Sequence, residues 1–471
     1  MDSNGFLEKE KISRLLLRFS IPCIASLLIS ALYNVVDQIF VGNSIGYLGN
    51  AATGVAFPIL IITMAFSWCY GDGAAAYISL CQGRRDSENA HKCVGSIATV
   101  TALTSVVLIA LFLIFDDQLL SLFGATYDTY DKDGVFVEGS MAMAKQYFTI
   151  VVCALTPNML TNALSSIIRA DGSPNFAMIA TLAGAIINIV LDALFIVALG
   201  WGIQGAAYAT VIGQLASFAL TVYYFVKRTK TFKLRPSSFK FDKRSLSVTL
   251  RFGISTFITQ ISIVLMSLVC SMMLKKYAYM SPEVGYDPSI PISSASVETK
   301  VFTFIINIVV GVILGAQPII GYNYGAKRLD RVKRCYLAVA LVTLTTGIIS
   351  TVICEVFPGA LVQMFGTGGL NSELYLEFAK KTFRIFLSCV TFTCFIKMSA
   401  IFFQAVGKPI SAMISSLIRD IAIFIPLAII LPMYLGLDGI LYASPIADAV
   451  SMVVAVLLTV KFFKELKKQE G

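Results

Sequence analysis

Apolar residues run almost without interruption through twelve stretches of the chain, near 12–40, 51–81, 93–115, 141–168, 174–199, 203–226, 247–278, 293–322, 332–356, 375–405, 409–435 and 437–463. Polar residues collect in the short gaps between them. Each stretch is long enough to cross a hydrocarbon core, which takes roughly 20 residues of helix. Backbone without partners cannot sit in lipid, so each stretch is predicted to be a helix. The pattern thus predicts an all-α membrane protein with twelve transmembrane helices.

The first half of the chain is written again in the second. GIQGAAYAT from Gly202 returns as GLDGILYAS from Gly436, RADGSP from Arg169 as QAVGKP from Gln404, and CQGRRDSENA from Cys81 as NYGAKRLDRV from Asn323. The offsets are 234 (436 − 202), 235 (404 − 169) and 242 (325 − 83, on the shared glycine), a full-length duplication with one small insertion. A repeat of this size is an architectural signal. Six helices per copy is an even number, so both copies enter the bilayer in the same orientation. Two six-helix bundles related by a pseudo-two-fold axis along the membrane normal follow, with a substrate path between them. The expected division is an N-lobe at 1–226, a basic linker at 227–246 and a C-lobe at 247–471.

Composition agrees: 57% hydrophobic and 14% charged residues, with a mean hydropathy of +0.78, leave no room for a soluble reading. The net charge of +9 is spent on topology. Lys9, Lys11, Arg14 and Arg18, the run KRTKTFKLRPSSFKFDKR from Lys227, and the end KFFKELKK fall on one side, together with Arg84, Arg85, Lys92, Lys327, Arg328 and Arg331. The opposite loops, DDQ at Asp116, YDTYDKDG at Tyr127 and GTGG at Gly366, are acidic or uncharged. The positive-inside rule places both termini in the cytoplasm. No nucleic acid is needed to explain the charge. Lys275 and Lys276 depart from the rule and are expected to snorkel at a helix end.

No cleavable signal peptide is read, because the apolar run from Ile12 is too long and lacks a small-residue cleavage site. The ten cysteines are scattered singly without a CxxC pair and read as small packing residues. His91 is the only histidine and lies in a basic loop. There is no nucleotide-binding P-loop, catalytic triad or metal cluster, so an enzyme is not expected and no cofactor is implied.

Burying a charge in lipid costs several kcal/mol unless it is paired or useful, so chemistry is sought at ionisable groups inside helices. The first half offers Asp37 in ALYNVVDQIFVG and Asp192 in IINIVLDALFIV. With the first helix ending near Val41, Asp37 lies about one turn, and Asp192 about two turns, below the outer boundary. Asn188 shares a helix face with Asp192, Asn34 stands three residues before Asp37, and Thr210 on the sixth helix reaches a similar depth. Two carboxylates, amides and a hydroxyl at one depth make an oxygen-lined site suited to a shared proton or a hard cation such as Na+. Pro22 removes a backbone bond below Asp37 and could act as a hinge.

The second half carries Glu298, Lys300, Lys397, Arg419, Asp420 and Asp448 within apolar runs. A partner for Lys397 is expected among Glu298, Asp420 and Asp448. Arg419 and Asp420 are adjacent, do not share a helix face and should look elsewhere. Glu298 is carried as a substrate-site candidate, with Tyr33, Asn34, Met64, Tyr147 and Asn158 as further cavity candidates.

The run YNVVDQIFVGN from Tyr33, RADGSP from Arg169, INIVLD from Ile187, GIQGAAYAT and the repeated glycine after the second and eighth helices together resemble the multidrug and toxic compound extrusion (MATE) family, nearest its prokaryotic MepA- and DinF-like branch. The resemblance covers nearly the whole chain. It implies antiport of lipophilic cationic drugs against H+ or Na+ across a bacterial inner membrane, by a monomer, from a V-shaped cavity between two lobes. It also implies ion coupling at Asp37, Asp192, Asn188 and Thr210. The acids on the seventh and tenth helices that form a C-lobe cation site elsewhere in the family are not matched, because those helices offer Gln260 and Lys397. A flippase for lipid-linked oligosaccharides, which shares the two-bundle architecture, is the alternative; it would call for a cationic cavity.

Overall fold

The computed structural model describes residues 6–45, 47–123, 125, 127, 129–130, 136–137, 139–230, 242–278, 280, 289–364 and 372–470. Among the described residues ten helices are long and apolar enough to cross a membrane, and two bent pairs, each taken as one span, bring the spans to twelve. In the first half they are α1 (Ile12–Ile45), α2 (Tyr47–Gly83), α3 (Ser87–Ile114), α4 (Met141–Cys153 and Leu155–Ala170, bent by 56°), α5 (Pro174–Asp192, continued by a π-helical turn Ala193–Ala198) and α6 (Gly202–Lys227). In the second they are α7 (Lys243–Ala278), α8 (Ser289–Gly325), α9 (Leu329–Val356), α10 (Ser372–Phe386 and Val390–Ala405, bent by 49°), α11 (Pro409–Leu417, a π-helical turn Ile418–Phe424, and Ile425–Ile430) and α12 (Leu437–Glu470). The only strands among the described residues are the two-residue pair Thr129–Tyr130 and Phe136–Val137.

The sequence repeat reappears as backbone. The left-handed conformation, which residues other than glycine rarely adopt, occurs at Arg85 and at Lys327, 242 residues on. It occurs at Gly172 and Gly407, 235 apart, and at Gly202 and Gly436, 234 apart. These are the three offsets of the sequence. Each half also breaks its fourth span and inserts a π-helical turn into its fifth.

The halves meet through α1 and α2 on one side and α7 and α8 on the other. The contact lies toward the face that carries both chain ends, here the terminal face. A core crosses the seam there, joining Leu7, Leu15, Leu16 and Phe19 to Val312, Ile313, Ile320 and Tyr336. Glycines let the backbones approach: an added β-carbon at Gly315 would meet the Cα of Ser20 at 2.5 Å, and one at Gly311 the Cα of Ile24 at 2.6 Å. The Ser20 hydroxyl donates to the Val312 carbonyl at 3.0 Å. Contacts across the seam continue up to Leu27 with Asn307 and Phe66 with Phe257. Within the halves, α1 packs on α5, and α7 packs on α11, most closely on its first segment Pro409–Leu417. Past Leu27, toward the opposite, distal face, no hydrogen bond or ring contact joins the halves among the described residues, over about 18 residues of α1 or about 27 Å at 1.5 Å per residue, here called the parted region.

At the two ends of the segment 227–246, α6 includes Lys227 and α7 begins at Lys243. Residues 231–241, the loop GTGG at Gly366 and most of YDTYDKDG lie outside the described residues. Lys276 sits at the distal end of α7, its ammonium 5.3 Å from the Tyr277 ring centroid.

Candidate functional site

The first-half site is assembled by close packing of α5 on α6. Gly184 and Gly213 face each other, and an added β-carbon on either would meet the other's carbonyl at 2.7 Å. This approach presses Asn188 and Asp192 of α5 toward α6, where Thr210 lies. Asp192 is the last residue of the α-helical part, directly before the π-helical turn. Such turns re-aim the side chains beside them and recur at functional positions. From α1, Asp37 meets this group. Because α1 runs on to Ile45, Asp37 lies eight residues, about 12 Å, below the helix end, deeper than the one turn expected.

Asp37, Asn188 and Asp192 are all buried. The two carboxyls face one another at contact range. As ionised acceptors, neither could donate to the other. Both Asp192 oxygens, Asp37 Oδ1, and both polar atoms of Asn188 have no hydrogen-bond partner. No Lys or Arg among the described residues pairs with either acid. Tyr147 of α4 stands in the field of both acids with its hydroxyl against Thr210, and Tyr33 of α1 stands next to Asp37. A first-half core of Val41, Tyr147, Met159, Ile196 and Ile203 walls the group. Burying unpaired acceptors is costly, so the donor set fits a proton or a small cation held between Asp37, Asp192 and Asn188.

Six of the sequence candidates therefore converge: Asp37, Asn188, Asp192, Thr210, Tyr147 and Tyr33. The others lie elsewhere. Asn34 is exposed and donates to the Ser30 carbonyl of its own helix at 2.8 Å. Asn158 accepts from Asn162 at 2.6 Å within α4, and Met64 is half-buried on α2. Pro22 sits inside an unbroken α1, its carbonyl accepting from the Ser26 hydroxyl at 2.8 Å. Glu298 is buried in the second half.

The second half holds a closed ionic group. Arg419 donates through Nε to Asp448 at 2.6 Å and through Nη1 to Asp420 at 2.8 Å, and Lys397 reaches Asp420 at 3.4 Å. Lys397 thus takes Asp420 from its three expected partners. Arg419 and its neighbour Asp420, expected to diverge, bond to each other; both lie in the π-helical turn of α11, whose wider winding narrows the angle between consecutive side chains.

Asp72 of α2 and Arg169 of α4 lie outside the sequence expectations. Ser166 donates to Asp72 at 2.7 Å, and Arg169 donates to Ser166 at 2.8 Å and to Asp72 at 3.4 Å. The Asp72 carbonyl also accepts from Gln317 across the seam at 3.4 Å. An acid and a base within apolar runs were the available signal.

The MatE family model matches residues 22–194 and again 255–430, once in each half. The chain belongs to the MatE family. The multidrug export protein MepA of Staphylococcus aureus (strain N315) is 25% identical over 454 residues, 96% of this chain and 94% of its own length. The MATE multidrug transporter DinF-BH, solved in a complex, is 30% identical over 95% of each chain, with a TM-score of 0.84. A multidrug resistance MATE family transporter of the MOP superfamily in an outward-facing conformation matches at a TM-score of 0.85 and 23% identity, covering 98% of both chains. The MatE fold thus accounts for the twelve spans; the carboxyl pair is a property of this chain's own residues.

Proposed function

We propose that this MatE protein exports lipophilic organic cations by antiport against an inward-moving ion. The observation that carries the reading is the buried, unpartnered Asp37–Asp192 pair with Asn188 beside it. Two ionised carboxyls at contact range repel, and a proton or Na+ between them removes that repulsion. The same negative site, without the ion, attracts a cationic drug. Ion and drug then compete for one site, and exchange is coupled if each prefers a different state of the two halves. The similarity to MepA, a multidrug export protein, and to DinF-BH, a multidrug transporter, supports drug-like small molecules as the cargo. The negative charge of the acid pair selects cations among them. The basic terminal face supports cytoplasmic termini in a bacterial inner membrane, so that the parted distal face opens outward. The acid pair lies wholly within the first half, which is consistent with a working monomer.

Lys397 and Arg419, the cations a lipid-linked pyrophosphate would need, are neutralised by Asp420 and Asp448. This arrangement counts against the flippase alternative.

The test is ethidium efflux from proteoliposomes under an imposed proton or sodium gradient. Export under one gradient, lost in Asp37→Asn and in Asp192→Asn with folded protein, is expected and names the ion. Folded wild-type protein that moves no ethidium under either gradient overturns the reading.

A further inference from the structure

The ionic group of the second half balances by itself. Lys397 and Arg419 supply two positive charges, Asp420 and Asp448 two negative ones, and they form one chain of contacts, Lys397 to Asp420, Asp420 to Arg419 and Arg419 to Asp448. Glu298 stands beside this group and outside its balance.

Glu298 lies on α8 with only 4% of its surface exposed. Its Oε1 has no hydrogen-bond partner, and Oε2 receives only a long contact, 3.5 Å, from the Thr299 hydroxyl. The groups that face it are Cys270 from α7, Cys354 from α9 and Arg419 from α11. Arg419 is already engaged: its hydrogen bonds go to Asp448 and Asp420, its Nη1 also lies 3.8 Å from Met266 Sδ, and its guanidinium sits 5.9 Å from the Phe302 ring, one turn along α8 from Glu298. A bare carboxylate here would be buried with one oxygen unmatched, which membrane interiors tolerate poorly.

We propose that Glu298 is a proton-binding site of the second half, separate from the Asp37–Asp192 pair. A bound proton removes the unbalanced charge and turns the orphaned oxygen into a hydroxyl. A proton suits the site better than a hard cation, because the described groups placed beside the carboxyl are the Thr299 hydroxyl and two thiols, and a hard cation prefers six or more oxygens. Glu298 is nine residues, about 14 Å, from the distal start of α8, close to the depth of Asp37 below the distal end of α1. Each half thus keeps its uncompensated carboxyl at a similar depth, although the sequence repeat does not pair the two residues. The inference does not need drug export, but if the antiport reading holds, it gives the transporter a second protonation step.

Infrared spectroscopy of the purified protein tests it directly. At neutral pH, Asp37→Asn/Asp192→Asn protein should keep a protonated-carboxyl carbonyl band that disappears on adding Glu298→Gln. Uniform ¹³C labelling of glutamate should shift that band, which serves if the Gln variant fails to fold. Glu298→Asp should retain the band at a moved frequency. Absence of a glutamate-shifted protonated-carboxyl band in folded protein, or its survival in Glu298→Gln, overturns the proposal. A protein that keeps the band but moves no ethidium would sink the export reading and leave this one standing.

Discussion

Gly253 on α7 lies against the Cys69 carbonyl on α2 with no room for a β-carbon between them. Gly73, one turn along α2, returns the contact against Thr249 and Gly253. Backbone touches backbone here, and neither side can yield by turning a rotamer. Gly253→Val should therefore pry the halves apart on the terminal side, at the cost of about 1–3 kcal/mol that overpacking typically carries. The expected outcome is a longer distance between spin labels placed at the terminal ends of α2 and α7, with transport lost. Gly54→Ala on α2, where nothing lies within 4 Å, should leave that distance unchanged; an equal change in both variants would rule out a local cause.

Arg419 holds two acids at once, so its removal strands both. Arg419→Met should destabilise the protein by about 3–5 kcal/mol, the usual cost of breaking a buried pair from one side. Adding Asp420→Asn and Asp448→Asn should recover a large part of that loss. Thermal unfolding in detergent reads both effects, and a single variant as stable as wild type would mean that the group does not hold α11 to α12.

The short helix Phe6–Lys9 belongs to the first half by sequence but is held by the second. Arg331 of α9 donates to the carbonyls of Leu7 at 3.0 Å and Glu10 at 2.6 Å, and Asn323 donates to Leu7 at 3.2 Å. Arg331→Ala should free this segment and speed amide hydrogen exchange at residues 6–10 at least about tenfold, which corresponds to about 1.4 kcal/mol. Unchanged protection would show that the Leu7 side chain, fully buried in the shared core, and the Asn323 bond hold the segment without Arg331.

Asp242 precedes α7 and sits outside the membrane. Its Oδ2 accepts from the Ser245 hydroxyl at 2.5 Å and the Ser245 amide at 3.0 Å, bonds that hold its carboxyl below the ordinary aspartate range. A lowered folded-state value means the stabilisation is present above the unfolded value, near about pH 3.9, and is lost as pH falls through the folded one. Asp242→Ala should cost about 1 kcal/mol at neutral pH, the usual loss for a helix cap. The difference from wild type should shrink in acid; a constant difference down to about pH 3 would contradict the cap.

Much of this arrangement was legible in the sequence because it depends on composition and period. Twelve apolar runs became twelve spans, and the offsets of the repeat reappeared in the backbone at Arg85 and Lys327. Depth along a helix follows from counting residues, so simple arithmetic along the chain brings Asp192, Asn188 and Thr210 to one level, and Asp37 joins them once its helix is seen to run on to Ile45. Direction around a helix is harder. Asn34, three residues before Asp37, is exposed, and counting cannot foresee that its amide turns back to Ser30. The π-helical turn at Ile418–Phe424 changes the winding itself, which is why the contact between Arg419 and Asp420 defied a rule built on about 3.6 residues per turn. Asp72 and Arg169 meet only because Gly71 lets α2 settle against the Ala163 backbone of α4, and that closeness has no signature in either segment alone.

The one-sided closure also divides the membrane electrically. A transmembrane voltage falls across whatever insulates, and in this shape the insulation is the packed seam beneath Leu27, Asn307, Phe66 and Phe257. On the proposed antiport, an ion reaching Asp37 and Asp192 from the distal face would cross little of the field, so that its occupancy would follow concentration more than voltage. The field, worth about 2.3 kcal/mol per elementary charge at about 100 mV, acts instead on the charge the site still carries when the halves exchange their open and closed faces. On that proposal loading would be a chemical step and turnover an electrical one.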